Sequence, residues 1–544
     1  MATQALRGPR PGVQPLAEVA REFGLGPEEW EAYGNSVAKL SPQMLERVAG
    51  RTQGRYVVVT NTTPIRKGEG KTVVSLGLAQ ALRVLGHRVT ATLRQPALAP
   101  YLGRTGGATG GGKAQLADAD RINLHFTGDL HAVAAAHNLL MAMVENHLHC
   151  GNRLGLVAEK ILWRRVIDLN DRALRRVVVG PSDELGAPAR ETGFDVLGSS
   201  EIMAILALST DLRELRLRLS NLAVGLDEDG RLVRAGELGA AGIMTRLLAD
   251  AFRPNLVQTV EGGPCLIHTS PYADFSIGSS SVIADRIALG LSEFVVTDVG
   301  MGADCGAEKL VHIKCAQSGL RPALVVLVTT VRSLKAHGGL NARGQMLDDF
   351  RSLQAGCGNL AHHLGVLRHF GLPAVVAVNR FPGDTDAECQ VIFDEAEKEG
   401  AVASASVDVF RQGGRGGLEL ARVVEYASRR EPDLHPCYAV DDPVVDKIEA
   451  VARKVYGAGG IRLSPEAEAM ARVIEDHGMG DLPVCIAKTA LSLSHDAGLL
   501  GTPRGFTLPV TALTPAAGAG YIVVETPHVQ RMPGLPPEPG MNLI

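Results

Sequence analysis

The chain has 544 residues, of which 45% are apolar and 21% charged, and a formal net charge of −4. That is roughly three to four domains' worth of ordinary globular composition, long enough to bury a sizeable core. The near-neutral balance and an aromatic content of only 4% argue against a basic field or a base-stacking platform, so neither nucleic acid nor an anionic membrane is an expected partner. Eight dispersed cysteines without a CxxC pair fit reduced thiols in a cytosol better than a disulfide frame or a structural zinc site. Residues 1–15 hold no apolar secretory core, and no apolar run reaches spanning length. The expectation is a soluble, cytoplasmic protein.

Residues 1–13 are rich in Gly, Pro and Arg and read as a loose arm. Residues 15–50 read as helical, with breaks near Gly24–Pro27 and Gly34. Next comes the most informative stretch. The β-branched run Tyr56–Val59 leads into Thr60–Val74, and apolar residues then recur at helical spacing from Val73 to Leu85. That order predicts a strand, a phosphate loop and a helix. Gly68 and Gly70 let the backbone bend and bring its N–H groups to an anion. The helix start adds free N–H groups and a positive dipole end. Lys71 would reach the outer phosphates, and the Thr72 hydroxyl would meet Mg2+. The general GxxxxGK[ST] pattern asks for Gly where this chain has Ile65, so a plain surface turn with a solvated Lys71 is the competing reading. The candidate nucleotide loop is Ile65, Arg66, Lys67, Gly68, Glu69, Gly70, Lys71 and Thr72.

A second strand is predicted over Arg88–Leu93, ending at Arg94-Gln95-Pro96, which completes a βαβ unit. Gly103–Gly112 carries six glycines in ten residues and reads as a binding loop rather than a linker. Residues 114–225 are mostly helix-patterned, for example Asn138–Glu145 and Ile202–Leu208. Three short apolar runs, Phe294–Thr297, Ala323–Thr329 and Ala374–Val378, read as buried parallel strands. Their ends carry Asp298, Thr330-Val-Arg332 and Asn379-Arg-Phe-Pro382. Ligands gather at the carboxyl ends of such strands, so these ends and the phosphate loop are expected to share one cleft. Asp298 resembles the acidic residue that holds Mg2+ through water in phosphate-loop enzymes, against a plain turn aspartate. The expected fold is α/β, a P-loop-type mostly parallel sheet flanked by helices, with two smaller α/β domains. Residues 1–130 with 290–420 form the nucleotide-binding domain, 131–289 an inserted domain and 421–544 a C-terminal domain.

Many further segments carry a family resemblance. They include Gly68-Glu-Gly-Lys-Thr72, Gly106–Gly112, Ile122–Asp129, Asp168–Leu174, Arg190–Asp195, Ser200–Leu206, Pro254–Thr259, Gly302–Lys309, Asn379–Pro382 and Pro515–Gly520. In this order they make the chain resemble the formate–tetrahydrofolate ligases from about residue 15 to residue 535. The resemblance implies a homotetramer with Mg2+ and a monovalent cation (K+ or NH4+). It implies a reaction in which formate attacks the γ-phosphate of ATP and the resulting formyl phosphate passes its formyl group to N10 of tetrahydrofolate. Arg94 matches the arginine placed near formyl phosphate, and Phe381 and Phe410 match aromatics set against the folate pterin. Asp129 either orients a cation or an amine proton, or caps the helix that follows it.

The sequence also departs from the family pattern. Arg66 and Lys67 stand where the family has Pro and a small residue, Lys113 where it has Tyr, and Phe410 where it has Trp. Asp274–Gly278, with Ile277, replaces Asn-Ile-Ala-His-Gly, and Met301 replaces Phe. Two other readings therefore stay open. One is an acyl-phosphate-forming ligase with a different amine acceptor. The other is a nucleotide-binding member without turnover.

Overall fold

The computed structural model describes residues 13–51, 54–65, 68–103, 108–180, 189–339, 346–430 and 432–537. Its centre is a ten-stranded sheet. In chain order the strands are β1 (Trp30–Ala32), β2 (Ala38–Leu40), β3 (Arg55–Asn61), β4 (Val89–Leu93), β5 (Asn255–Gln258), β6 (Pro264–Ile267), β7 (Phe294–Asp298), β8 (Leu324–Thr329), β9 (Ala374–Asn379) and β10 (Ala403–Val407). Their spatial order is β1-β2-β5-β6-β4-β7-β3-β8-β9-β10. From β6 to β10 every pairing is parallel, while β1, β2, β5 and β6 pair antiparallel at one edge.

The apolar runs explain the parallel part. Both faces of such a sheet are covered, so strand residues of either parity must be apolar. In β3, Tyr56 and Val58 join the core on one face and Val57 and Val59 join the core on the other. In β8, Val325 and Leu327 face one core and Leu324, Val326 and Val328 the other. The helix α1 (Lys71–Val84) follows β3 and returns to β4, which lies two positions away with β7 between them. The C-terminal end of β3 therefore faces β4 and β7 on one side and β8 and β9 on the other, which is where such sheets open a crevice.

Three regions differ from the sequence-based expectation. Residues 114–225, expected to be mostly helical, also hold the short strands Leu156–Ile161, Arg165–Ile167, Val177–Val179, Arg190–Thr192, Phe194–Val196 and the start of Ala223–Asp227, formed by pairing that a local helical pattern does not reveal. Residues 30–40 form the β1–β2 hairpin rather than helix. The break at Gly34, with φ of 80°, is the hairpin turn, and pairing of β2 with β5 overrides the helical pattern. Residues 254–267, expected within the insertion, supply β5 and β6 to the main sheet. Their apolar runs, Leu256-Val257 and Cys265-Leu-Ile267, are short, and pairing with β2 and β4 places them. Before them lie the helix Asp129–His149 and a small sheet of Leu156–Ile161, Ala223–Asp227 and Leu232–Arg234. The C-terminal region contains a three-stranded sheet of Val484–Ala487, Tyr521–Glu525 and Ala512–Ala516, and its buried residues are continuous with the main core. Among the described residues, no helix is long and apolar enough to cross a membrane.

Candidate active site

The predicted phosphate loop sits where β3 gives way to α1. Gly68 and Gly70 have φ of 72° and 73°, a left-handed conformation that glycine adopts at low cost. A Cβ on Gly70 would stand 2.5 Å from Asn379 Nδ2, so any side chain there would have to displace the Asn379 amide. Ile65, the residue that breaks the general motif, closes the turn instead. Its carbonyl accepts from Gly68 N–H at 2.9 Å, and its own N–H donates to Glu69 Oε1 at 3.0 Å. Arg66 and Lys67 lie outside the described residues.

Three strand ends brace this loop, as the one-cleft expectation requires. From β9, Asn379 Nδ2 donates to the Glu69 carbonyl at 2.9 Å. After β8, Thr330 donates its hydroxyl to Glu69 Oε2 and Arg332 donates to the Gly68 carbonyl. At the end of β7, Asp298 Oδ2 accepts from Lys71 Nζ at 2.7 Å and from Thr72 Oγ1 at 2.8 Å. Burial lowers the Lys71 ammonium below the usual lysine range, against the pull of Asp298 and with the help of Arg94. Burial would raise Asp298, but the positive charges of Lys71 and Arg94 outweigh it and leave its carboxyl below the ordinary aspartate value. Burial raises Glu69, partly offset by its hydrogen bonds from Thr330 and Ile65.

A cavity of about 380 Å3 opens over the loop. Gly68, Gly70, Lys71 and Thr72 line it together with Arg94, Gln95 and Tyr272. Asp298 does not itself line the cavity; it stands behind Lys71 and Thr72 and is 3% exposed. Arg94 Nη1 donates to the Pro271 carbonyl at 3.3 Å, while its Nε and the Gln95 Oε1 are buried without a protein partner. Buried polar atoms are seldom left so, and these two suit a polar ligand. A helix N-terminus, two glycine amides and two cations facing one space suit a polyphosphate. Hard oxygen donors, a hydroxyl backed by a carboxylate, suit Mg2+.

The remaining expected residues fall in other places. Asp129 begins the helix Asp129–His149, is 4% exposed, and pairs with Lys39 Nζ while Asn255 Nδ2 donates to it at 2.8 Å. It holds β2 and β5 to that helix and does not line the cavity. Phe381 lines a second cavity of about 630 Å3 at the ends of β9 and β10. The Arg332 guanidinium covers one face of its ring, 3.7 Å from the centroid, so a single arginine joins the phosphate loop to Phe381. Phe410 is 55% exposed and lies on Gly111 and Gly112, where added Cβ atoms would meet its ring at 3.2 and 2.9 Å. Lys113 is exposed and donates its backbone N–H to the Phe410 carbonyl at 2.9 Å. Of the other departures, Asp274 and Met301 line the first cavity, whereas Ile277 is fully buried in the core.

Sequence reading did not single out Thr330, Arg332, Asn379 or Tyr272 as site residues. The first three stand at or just after the strand ends it identified, and that position was the usable signal. Tyr272 follows an irregular segment and gave none.

A family model described as formate–tetrahydrofolate ligase matches residues 9–544. The formate–tetrahydrofolate ligase of Symbiobacterium thermophilum is 46% identical over 536 residues, spanning 98% of this chain and 96% of its own. That of Roseiflexus sp. is 46% identical over 540 residues, spanning 98% and 96%, and that of Paracoccus denitrificans 45% over 529 residues, spanning 96% and 94%. The chain belongs to the formate–tetrahydrofolate ligase family.

Proposed function

We propose that this chain is an ATP-dependent ligase that joins formate to N10 of tetrahydrofolate, releasing ADP, phosphate and 10-formyltetrahydrofolate. The observation that carries this reading is the arrangement of Lys71, Thr72 and Arg94 around one cavity at the N-terminus of α1. Phosphoryl transfer is mainly a matter of charge and alignment. The Gly68–Thr72 amides and Lys71 hold the β- and γ-phosphates. Thr72, with Asp298 behind it, would hold Mg2+, which when bound neutralises charge on the phosphate oxygens. Arg94, on the same cavity, orients formate, its planar guanidinium matching a carboxylate.

A formate oxygen then forms a bond to the γ-phosphorus as the bond to the ADP oxygen breaks, giving formyl phosphate. N10 of tetrahydrofolate attacks the formyl carbon, phosphate leaves, and the N10 proton is lost. Phe381 offers the ring face away from Arg332 to the pterin, and Phe410 offers an exposed ring beside the glycine turn. A monovalent cation (K+ or NH4+), a homotetramer and a cytoplasmic location belong to the same reading on the strength of the family resemblance.

Asp274 on the cavity wall favours a second reading, in which another amine accepts the activated group. Burial raises its carboxyl above the ordinary value, opposed by Lys309, Lys488 and Arg94. Phosphate release measured with formate, with and without tetrahydrofolate, separates the two. Stimulation by both substrates supports the folate ligase, and formate-dependent release indifferent to folate supports the other acceptor.

A further inference from the structure

β3 ends at Asn61, and Thr62 still donates its N–H to the Val328 carbonyl, so Thr63 is the first residue to leave the sheet on the way to the phosphate loop. All of its polar atoms are held by side chains. Asn359 Oδ1 accepts from Thr63 N–H at 3.1 Å, and Asn359 Nδ2 donates to Thr63 Oγ1 at 2.9 Å. His337 Nε2 donates to the Thr63 carbonyl at 3.0 Å. The Thr63 hydroxyl and His363 Nε2 share a further hydrogen bond at 2.9 Å.

The same two side chains reach the C-terminal region at one residue. Asn359 Nδ2 also donates to the Gly501 carbonyl at 2.9 Å, and His337 Nδ1 accepts from Gly501 N–H at 3.1 Å. Each therefore bridges Thr63 and Gly501. A second link runs beside them. Lys488 Nζ lies 2.7 Å from Asp304 Oδ2, and Asp304 Oδ1 lies 3.9 Å from Nδ1 of His363.

His337 lies on α2 (Val331–Gly338) and Asn359 on α3 (Phe350–His369). The helices cross at Gly338 and Gly356, where a Cβ would fall 1.7 Å from the Ser352 carbonyl oxygen and 1.8 Å from that of Leu334. This close crossing brings both side chains to Thr63. Thr63, His337, Asn359 and His363 are buried, so water cannot replace a lost bond and the arrangement is strongly specified. Neither His337 nor Asn359 lines the nucleotide cavity.

We propose that His337 and Asn359 are positioning residues that tie the entrance of the phosphate loop at Thr63 to Gly501, so that nucleotide affinity depends on how the C-terminal region is seated. This rests on the reading of Gly68–Thr72 as the phosphate site. The test is titration calorimetry of the full-length protein with ADP, alongside steady-state kinetics and thermal melting. His337→Ala and Asn359→Ala raise the ADP Kd by roughly tenfold, the usual scale of coupling between sites, and leave kcat at saturating ATP within about threefold. His337→Gln retains one donor and one acceptor and restores the Kd.

Gly501→Ala carries the test should the two alanine variants fail to fold. Gly501 has φ of 73°, and a Cβ there would stand 3.0 Å from the His337 carbonyl oxygen, so this change outside the cavity also weakens ADP. Lys71→Ala is the control for the site itself. Weakened ADP binding in Lys71→Ala, with unchanged Kd but lower Tm in the His337, Asn359 and Gly501 variants, overturns this proposal alone. Unchanged ADP binding in Lys71→Ala overturns the phosphate-site reading together with it.

Discussion

Lys71 and Asp298 meet at 2.7 Å across the gap between α1 and β7, and both are nearly excluded from solvent. The same Asp298 oxygen accepts from Thr72, so one carboxylate holds both residues proposed to handle phosphate and Mg2+. Breaking one partner out of a buried pair commonly costs about 3–5 kcal/mol because the other charge is stranded. Asp298→Asn is therefore expected to lower stability by about that amount. It also shifts the Mg2+ dependence of turnover to higher concentration. Thermal melting and a Mg2+ titration of ATP turnover check both effects.

Phe381 has Arg332 on one face of its ring, and Arg332 donates to the Gly68 carbonyl in the phosphate loop. Phe381→Ala is expected to raise the KM for tetrahydrofolate by roughly tenfold, the scale of one lost stacking contact. The KM for ATP moves less, because Arg332 keeps its bond to Gly68. Initial-rate kinetics with each substrate varied in turn give the comparison.

Much of this site was legible in the sequence, for definite reasons. Gly68, Gly70, Lys71 and Thr72 fall within five consecutive residues, and a strand-loop-helix pattern places so short a run without knowledge of the rest. Asp298 was legible because a short apolar run ends on it. Asp129 was not: whether it caps, catalyses or pairs depends on Lys39 and Asn255, which are far away in sequence and reach it only in the folded sheet. The hairpin of β1 and β2 was missed because residues 30–40 have no strong strand pattern and are held by pairing with β5. The Thr63–Gly501 bridge was invisible for the same reason, since it joins residues with no shared motif.

Stability toward acid should track the buried histidines. Burial lowers His137 to about 4, with its bond to the Arg164 carbonyl opposing the shift. Its ring stacks on Trp163 at 4.2 Å, and its other nitrogen meets Ser200 Oγ at 2.8 Å. Below the ordinary value of 6.5 the unfolded ring takes up a proton, while the folded ring stays neutral down to about 4. The contribution is thus intact above 6.5 and is lost as pH falls through that window, by about 2 kcal/mol at pH 5. His268 and His363, lowered to about 3, act in the same direction. Denaturant melts of wild type and His137→Gln between pH 5 and 7.5 are expected to show a shallower acid loss in the variant.

The most direct measurement supplies labelled formate, ATP and tetrahydrofolate to the wild type and to Lys71→Ala and follows label in the folate together with ADP. The expected result is one labelled formyl group on folate per ADP in the wild type, with the rate lower by on the order of 100- to 1,000-fold in Lys71→Ala. ADP formed without label in the folate, or a Lys71→Ala variant as fast as wild type, would contradict it.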